Sequence, residues 1–73
     1  MQIRTGMNVL GADMSEVGTV KEVRNNDFLL NRPMHRDVYV PFSAVQNVSG
    51  NQVILNVLSN QVDNMNWPSP SLT

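Results

Sequence analysis

The apolar positions of this chain fall in short runs, each closed after a few residues by glycine, asparagine, aspartate or proline. Val38 and Val40 alternate with Tyr39, and Val53, Leu55 and Val57 share one face of Gln52–Val57, the two-residue period of a half-buried strand. Met7–Ala12 reads as a first strand, closed by Gly11 and a polar turn through Asp13, Ser15 and Glu16. In the second, Val17–Val23, the apolar residues Val17, Val20 and Val23 stand three apart, a helical spacing that Gly18 and Thr19 argue against. A β-bulge reconciles the spacing with a strand, because one extra residue shifts the side-chain phase and returns Val23 to the inner face. Asn25-Asn26-Asp27 tolerates left-handed backbone, so this strand is expected to fold back on Phe28-Leu29-Leu30 as a hairpin. A polar connection, Asn31–Arg36, leads to Asp37–Val40, which Pro41 ends. Phe42-Ser43-Ala44 fits one helical or 3₁₀ turn, followed by the strand Val45–Val48, the turn Ser49-Gly50-Asn51 and the strand Gln52–Val57. Leu58, Val62 and Met65 then fall at i, i+4 and i+7, with Ser59 placed to cap, which predicts a helix of one or two turns.

Five or six short strands, rich in valine, define an all-β chain, since β-branched side chains suit a pleated surface and lose rotamer freedom in a helix. In so few residues a small closed antiparallel β-barrel with a short C-terminal helical turn is favoured over a two-layer sandwich, because closure removes edges that a small sheet cannot otherwise protect. Residues 1–67 form the expected single domain, and residues 68–73 an extended tail in which Pro68 and Pro70 remove amide donors. Trp67, the only tryptophan, is read as a lid over an open core edge, with an exposed interface anchor as the alternative.

Composition narrows what such a domain can do. At 73 residues with 41% apolar content the core is thin, and without cysteine it has no disulfide, thiolate zinc site or cysteine nucleophile to support it. Stability must come from packing or from self-association. A net charge of -1 offers no global attraction to nucleic acid or anionic lipid. Neither a signal peptide nor an apolar run long enough to span a bilayer is visible, so a cytoplasmic location without membrane insertion is expected, and the sequon Asn47-Val48-Ser49 is discounted.

Gly6-Met7-Asn8-Val9-Leu10-Gly11-Ala12-Asp13 followed by Val17-Gly18-Thr19-Val20-Lys21-Glu22-Val23 resembles the opening hairpin of PRC-barrel-like domains. Phe28-Leu29-Leu30, Val38-Tyr39-Val40-Pro41 with Phe42 and Val45, Val48, Val53–Val57 and Trp67 continue the resemblance, which is closer still to a bacterial family of short uncharacterised proteins assigned to that fold. In one place the chain departs from it. Relatives commonly place glycine directly after the aspartate of the first turn, whereas here Met14 follows Asp13. The resemblance implies a fold and a use in binding and assembly, since such domains occur in the cytoplasmic part of the photosynthetic reaction centre H subunit and in the ribosome maturation factor of 16S rRNA processing. It carries over no catalytic residue, because the matching positions are turn glycines and apolar core residues.

The candidate chemistry is sparse. Gly6–Gly11 has the glycine spacing of a phosphate loop, but Ala12 and Asp13 follow where lysine and a hydroxyl are needed. His35-Arg36-Asp37 copies a kinase tripeptide without the rest of a kinase. His35, Asp37 and Ser43 are of the residue types for a hydrolase triad but lie in a polar connection and a turn, and one histidine with scattered acids makes no metal set. No catalytic residue, cofactor or metal is therefore assigned. Lys21, Arg24, Arg32 and Arg36 cluster in sequence near Tyr39, the ingredients of a single-stranded nucleic-acid surface, although Glu22, Asp27 and Asp37 interleave with them. Met14 and Met34 sit in polar turns where an apolar side chain needs a cover. The expected role is a non-catalytic interaction or assembly module, self-associating as a homo-oligomer through apolar turn residues or an edge strand. Its candidate partner-binding residues are Arg24, Arg32, Arg36, Tyr39, Met14, Met34 and Trp67. An RNA- or ribosome-associated factor using the basic cluster is the alternative.

Overall fold

A computed structural model describes residues 2–70 and shows six strands in one curled sheet, a half-barrel. They are β1 (Asn8–Leu10), β2 (Glu16–Val23), β3 (Asp27–Asn31), β4 (Val38–Pro41), β5 (Val45–Ser49) and β6 (Gln52–Leu55), with two 3₁₀ turns, η1 (Phe42–Ala44) and η2 (Ser59–Asn64). The all-β, barrel-like reading is borne out. The C-terminal turn is 3₁₀ throughout, and Ser59 does not cap it; Leu58 stands at the N-cap without a side-chain bond.

The strand order is β4-β3-β2-β1-β6-β5. Four pairings are antiparallel, as expected of hairpins, but β1 and β6 run parallel, with Asn8, Val9 and Leu10 opposite Gln52, Val53 and Ile54. This departs from a wholly antiparallel barrel. Its cause is topological: β6 reaches β1 through its hairpin with β5 at the far edge of the sheet, not through a hairpin with β1.

The curl also follows from chain connectivity. β4 and β5 are the two edges of the sheet, yet only the three residues of η1 separate them. A 3₁₀ turn advances about 2 Å per residue, whereas six flat strands spaced about 4.8 Å apart place their outer members roughly 24 Å from each other. The sheet must bend until its edges approach at this corner. There the Phe42 amide donates to the Asn26 carbonyl (3.1 Å), and the Phe28 and Phe42 rings stack with centroids 6.5 Å apart.

Inside the curl lie Met7, Val9, Val20, Phe28, Leu30, Val38, Val40, Val53 and Leu55, closed below by Ala44 of η1 and Val62 of η2. The bulge expected in β2 is present: Val20 faces Leu30 and Glu22 faces Leu29, so Lys21 is the extra residue. It restores Val23 to the register of Phe28, but Val23 lies at the rim and stays exposed. Gly18 is required at its site. A Cβ there would collide with the Asn31 carbonyl oxygen of β3, so only a residue without one lets the two strands pair this closely.

Candidate functional site

The segment from Leu58 to Met65, expected from the sequence to close the barrel as a lid, forms η2, and the structure shows it pinned at both ends by charged side chains from distant turns. At its start, the turn between β1 and β2 folds through the bonds Gly11 N–H to Ser15 O (2.9 Å) and Met14 N–H to Gly11 O (2.9 Å). This directs Asp13 at η2, where its Oδ2 accepts from the Ser59 hydroxyl at 2.9 Å and its Oδ1 from the Ser59 amide at 3.3 Å. The Ser59 hydroxyl bond, with lesser help from backbone amides, holds the Asp13 carboxyl below the usual aspartate range. Gly11 permits the approach, since a Cβ on it would stand 2.5 Å from the Ser59 nitrogen.

At the far end of η2, Arg32 does the corresponding work from the end of β3. Its Nη1 donates to Asp63 Oδ1 at 2.7 Å, and its Nε and Nη2 both donate to the Arg36 carbonyl, at 2.9 and 2.6 Å. Arg32 thereby ties the β3–β4 connection into a loop and fastens that loop to η2. Its side chain is only 6% exposed. Asp63, itself exposed, is held below the usual carboxylate range chiefly by the Arg32 hydrogen bond.

This corrects the expectation that Arg32 belongs to an exposed basic surface: its guanidinium is buried and engaged. Two of the other three clustered bases are also paired. Arg24 grips Asp27 through Nε–Oδ1 (2.7 Å) and Nη2–Oδ2 (2.8 Å), while its Cζ lies 3.7 Å from the centroid of the Tyr39 ring. The hydrogen bond raises Arg24 and lowers Asp27 from their ordinary values. The structure does bring Arg24 and Tyr39 together, as a cation–π contact that closes the β2–β3 hairpin against β4. Lys21 lies 3.5 Å from Asp37. Of the four clustered bases only Arg36 has no acidic partner among the described residues.

Met14 and Met34 are exposed, as their turns suggested: 56% and 101%. Both also hold left-handed backbone, with φ of 67° and 65°. A long side chain is rarely found there, because its Cβ crowds the following carbonyl, at a cost of roughly 1 to 2 kcal/mol. Met14 directly follows Asp13, and Met34 lies two residues beyond Arg32, so each stands beside one of the two clasps on η2. Leu58 and Met65, at the two caps of η2, are exposed as well. Four of the five exposed large apolar side chains among the described residues thus frame this one turn, Val23 being the fifth. Between the clasps runs a groove lined by Glu16, Val17, Pro33, His35, Ser59 and Asn60. Met7, by contrast, fills the core, and Met1 lies outside the described residues.

Trp67 is half-buried and packed on the core, the lid position. The chain beyond it runs along the outer edge of β4, where the Pro68 carbonyl accepts the Tyr39 amide at 2.7 Å. Residues 71–73 of the expected tail lie outside the described residues. Among those described, no group of three His, Asp or Glu side chains is gathered as a metal site, and no helix is long and apolar enough to cross a membrane.

The comparisons with known proteins agree with a small bacterial domain. No curated protein matches the chain. A family model described as an uncharacterised protein conserved in bacteria, DUF2171, matches residues 3–63, a span that takes in all six strands, both clasps and both left-handed methionines. On that match, the chain belongs to the bacterial family DUF2171.

Proposed function

We propose that this chain is a non-catalytic interaction or assembly module of the bacterial cytoplasm, docking a protein partner through the apolar end built around η2. One observation carries the reading. Met14 and Met34 hold left-handed backbone while contributing little or nothing to the core, so their apolar, adaptable side chains serve something outside the barrel. The clasps Asp13–Ser59 and Arg32–Asp63 support it, because they fix the turns that present these side chains and so lower the ordering cost of docking. The curled six-stranded sheet and the bacterial family support the finer description as a PRC-barrel-like domain used in assembly.

The alternative, an RNA- or ribosome-associated factor, finds little support in the basic cluster, whose charges are mostly spent on Asp27, Asp37 and Asp63. The test is affinity capture from a bacterial lysate with the wild-type chain and with M14N/M34N, in which asparagine keeps the left-handed turns but removes the apolar side chains. A protein retained by the wild type, resistant to nuclease and lost with the variant is the expected result. Equal retention by both chains, or a bound fraction that nuclease and salt abolish, overturns it.

A further inference from the structure

The apolar end around η2 carries a charge pattern that narrows what can dock on it. Its groove takes Glu16 and Val17 from the start of β2, Pro33 and His35 from the β3–β4 connection, and Asn60 and Asp63 from η2. The one arginine of the lining, Arg32, is 6% exposed with its donors committed to Asp63 and the Arg36 carbonyl, whereas the Asp63 side chain is 63% exposed. A partner therefore meets the carboxylate, not the guanidinium. Glu16 is exposed and in no salt bridge, and Asp13, beside Met14, is bonded to uncharged groups alone. Lys21 and Arg24 do not line the groove and are held by Asp37 and Asp27. Facing the carboxylates of Asp13, Glu16 and Asp63 there are, among the described residues, only His35 and, in the neighbouring cavity with Met34, Arg36. Backbone pairing is closed to a partner here. β2 lies inside the sheet between β1 and β3, so the groove offers no strand edge to an extended peptide, and recognition runs through side chains.

We propose that this end receives a basic amphipathic helix of another protein, its apolar face on Met14, Met34, Leu58 and Met65 and its lysines or arginines toward Asp13, Glu16 and Asp63. The inference rests on the docking function proposed above and names the class of partner. A second copy of the chain does not fit here in a twofold arrangement, which sets these carboxylates against their own counterparts. Nucleic acid and anionic lipid are repelled by the same carboxylates.

The test is panning of a random peptide display library on the full chain, with the wild type and M14N/M34N as parallel baits and peptides of about 16 residues, roughly 24 Å long as a helix. Clones that the wild type retains and M14N/M34N loses are expected to carry net positive charge, with apolar residues at i, i+3, i+4 and i+7 and bases between them. A synthetic peptide of one such clone is then titrated by calorimetry against two variants whose folding is checked by thermal melts. Glu16→Lys, at an exposed groove position outside both clasps, is expected to weaken binding by about tenfold or more. Glu22→Lys makes the same charge change on β2 away from the groove and is expected to leave affinity within about twofold. Methionine-dependent clones that are neutral, acidic or without the helical spacing overturn the proposal and leave the docking function standing. An absence of methionine-dependent clones overturns both. Equal effects of Glu16→Lys and Glu22→Lys, large or absent, also overturn the proposal, since the groove carboxylates then select nothing.

Discussion

Arg32 and Asp63 stand 31 residues apart in sequence and 2.7 Å apart in space, one side chain buried and the other in solvent. The asymmetry says that the arginine holds the fold together more through its enclosed bonds than through the exposed ion pair. Arg32→Ala strands the Arg36 carbonyl and leaves a gap, and we expect it to destabilise the domain by roughly 2 to 3 kcal/mol in urea unfolding. Arg32→Lys should rescue little, because one ammonium cannot reproduce the fork that meets Arg36 and Asp63 together. Full rescue by lysine would show that charge alone matters here.

Acid should loosen the η2 end. Asp13, Asp27 and Asp63 all have folded pKa values below their ordinary ones, each mainly through a side-chain hydrogen bond, from Ser59, Arg24 and Arg32 respectively. Groups depressed in this direction contribute stability that is complete above the unfolded aspartate value of about 3.9 and is lost as pH falls through the folded value. Stability linked to these three groups should thus be flat from neutrality to about pH 5 and decline below about pH 4. In an NMR titration the Ser59 amide should follow Asp13 in that lower window. Asp13→Asn should abolish the Ser59 transition, and its persistence would assign the effect elsewhere.

Fold and docking should respond in opposite directions at Met14. Met14→Gly relieves a left-handed side chain and is expected to raise stability by about 0.5 to 1 kcal/mol, while weakening capture of a partner. A thermal melt beside a binding assay separates the two effects. A variant that loses both stability and binding would mean that the side chain packs internally.

A glycine that lies against backbone and one that faces open space predict a further contrast. Gly18→Ala places a Cβ against the Asn31 carbonyl, forces β2 away from β3 and should cost about 1 to 3 kcal/mol in chemical denaturation. Gly50→Ala meets no atom within 4 Å, so only its left-handed turn should register. Equal losses at the two sites would show that the close approach at Gly18 is readily relaxed.

Much of the fold was legible because its signals are local. The three-residue spacing of Val17, Val20 and Val23 announced the bulge that places Lys21 out of register, and Asn25-Asn26-Asp27 announced the hairpin. The parallel pairing of β1 with β6 was not legible, since the pleat of Val53 and Leu55 looks the same whichever way a neighbour runs. Arg32 was misread because arginine is almost always a surface residue, and its burial depends on a carbonyl and a carboxylate brought in by other turns. Asp13 carried one readable sign, a serine two residues on, as in an Asx turn; the second serine, Ser59, lies too far along the chain to be seen. Met14 and Met34 were recognised as out of place, but their left-handed backbone required coordinates.

The parallel seam between β1 and β6 also bears on how the chain finds its structure. On one side of it, β1 to β4 form a meander whose every pairing joins neighbours in sequence; on the other, β5 and β6 form a single hairpin. Both halves assemble from short loops, whereas the seam joins Asn8 to Gln52 and must close most of the molecule into one large loop. Joining the halves is therefore the step expected to limit the folding rate. Until it is complete, β1 and β6 each carry an unsatisfied edge, and the newly made chain is most vulnerable to pairing with the wrong neighbour.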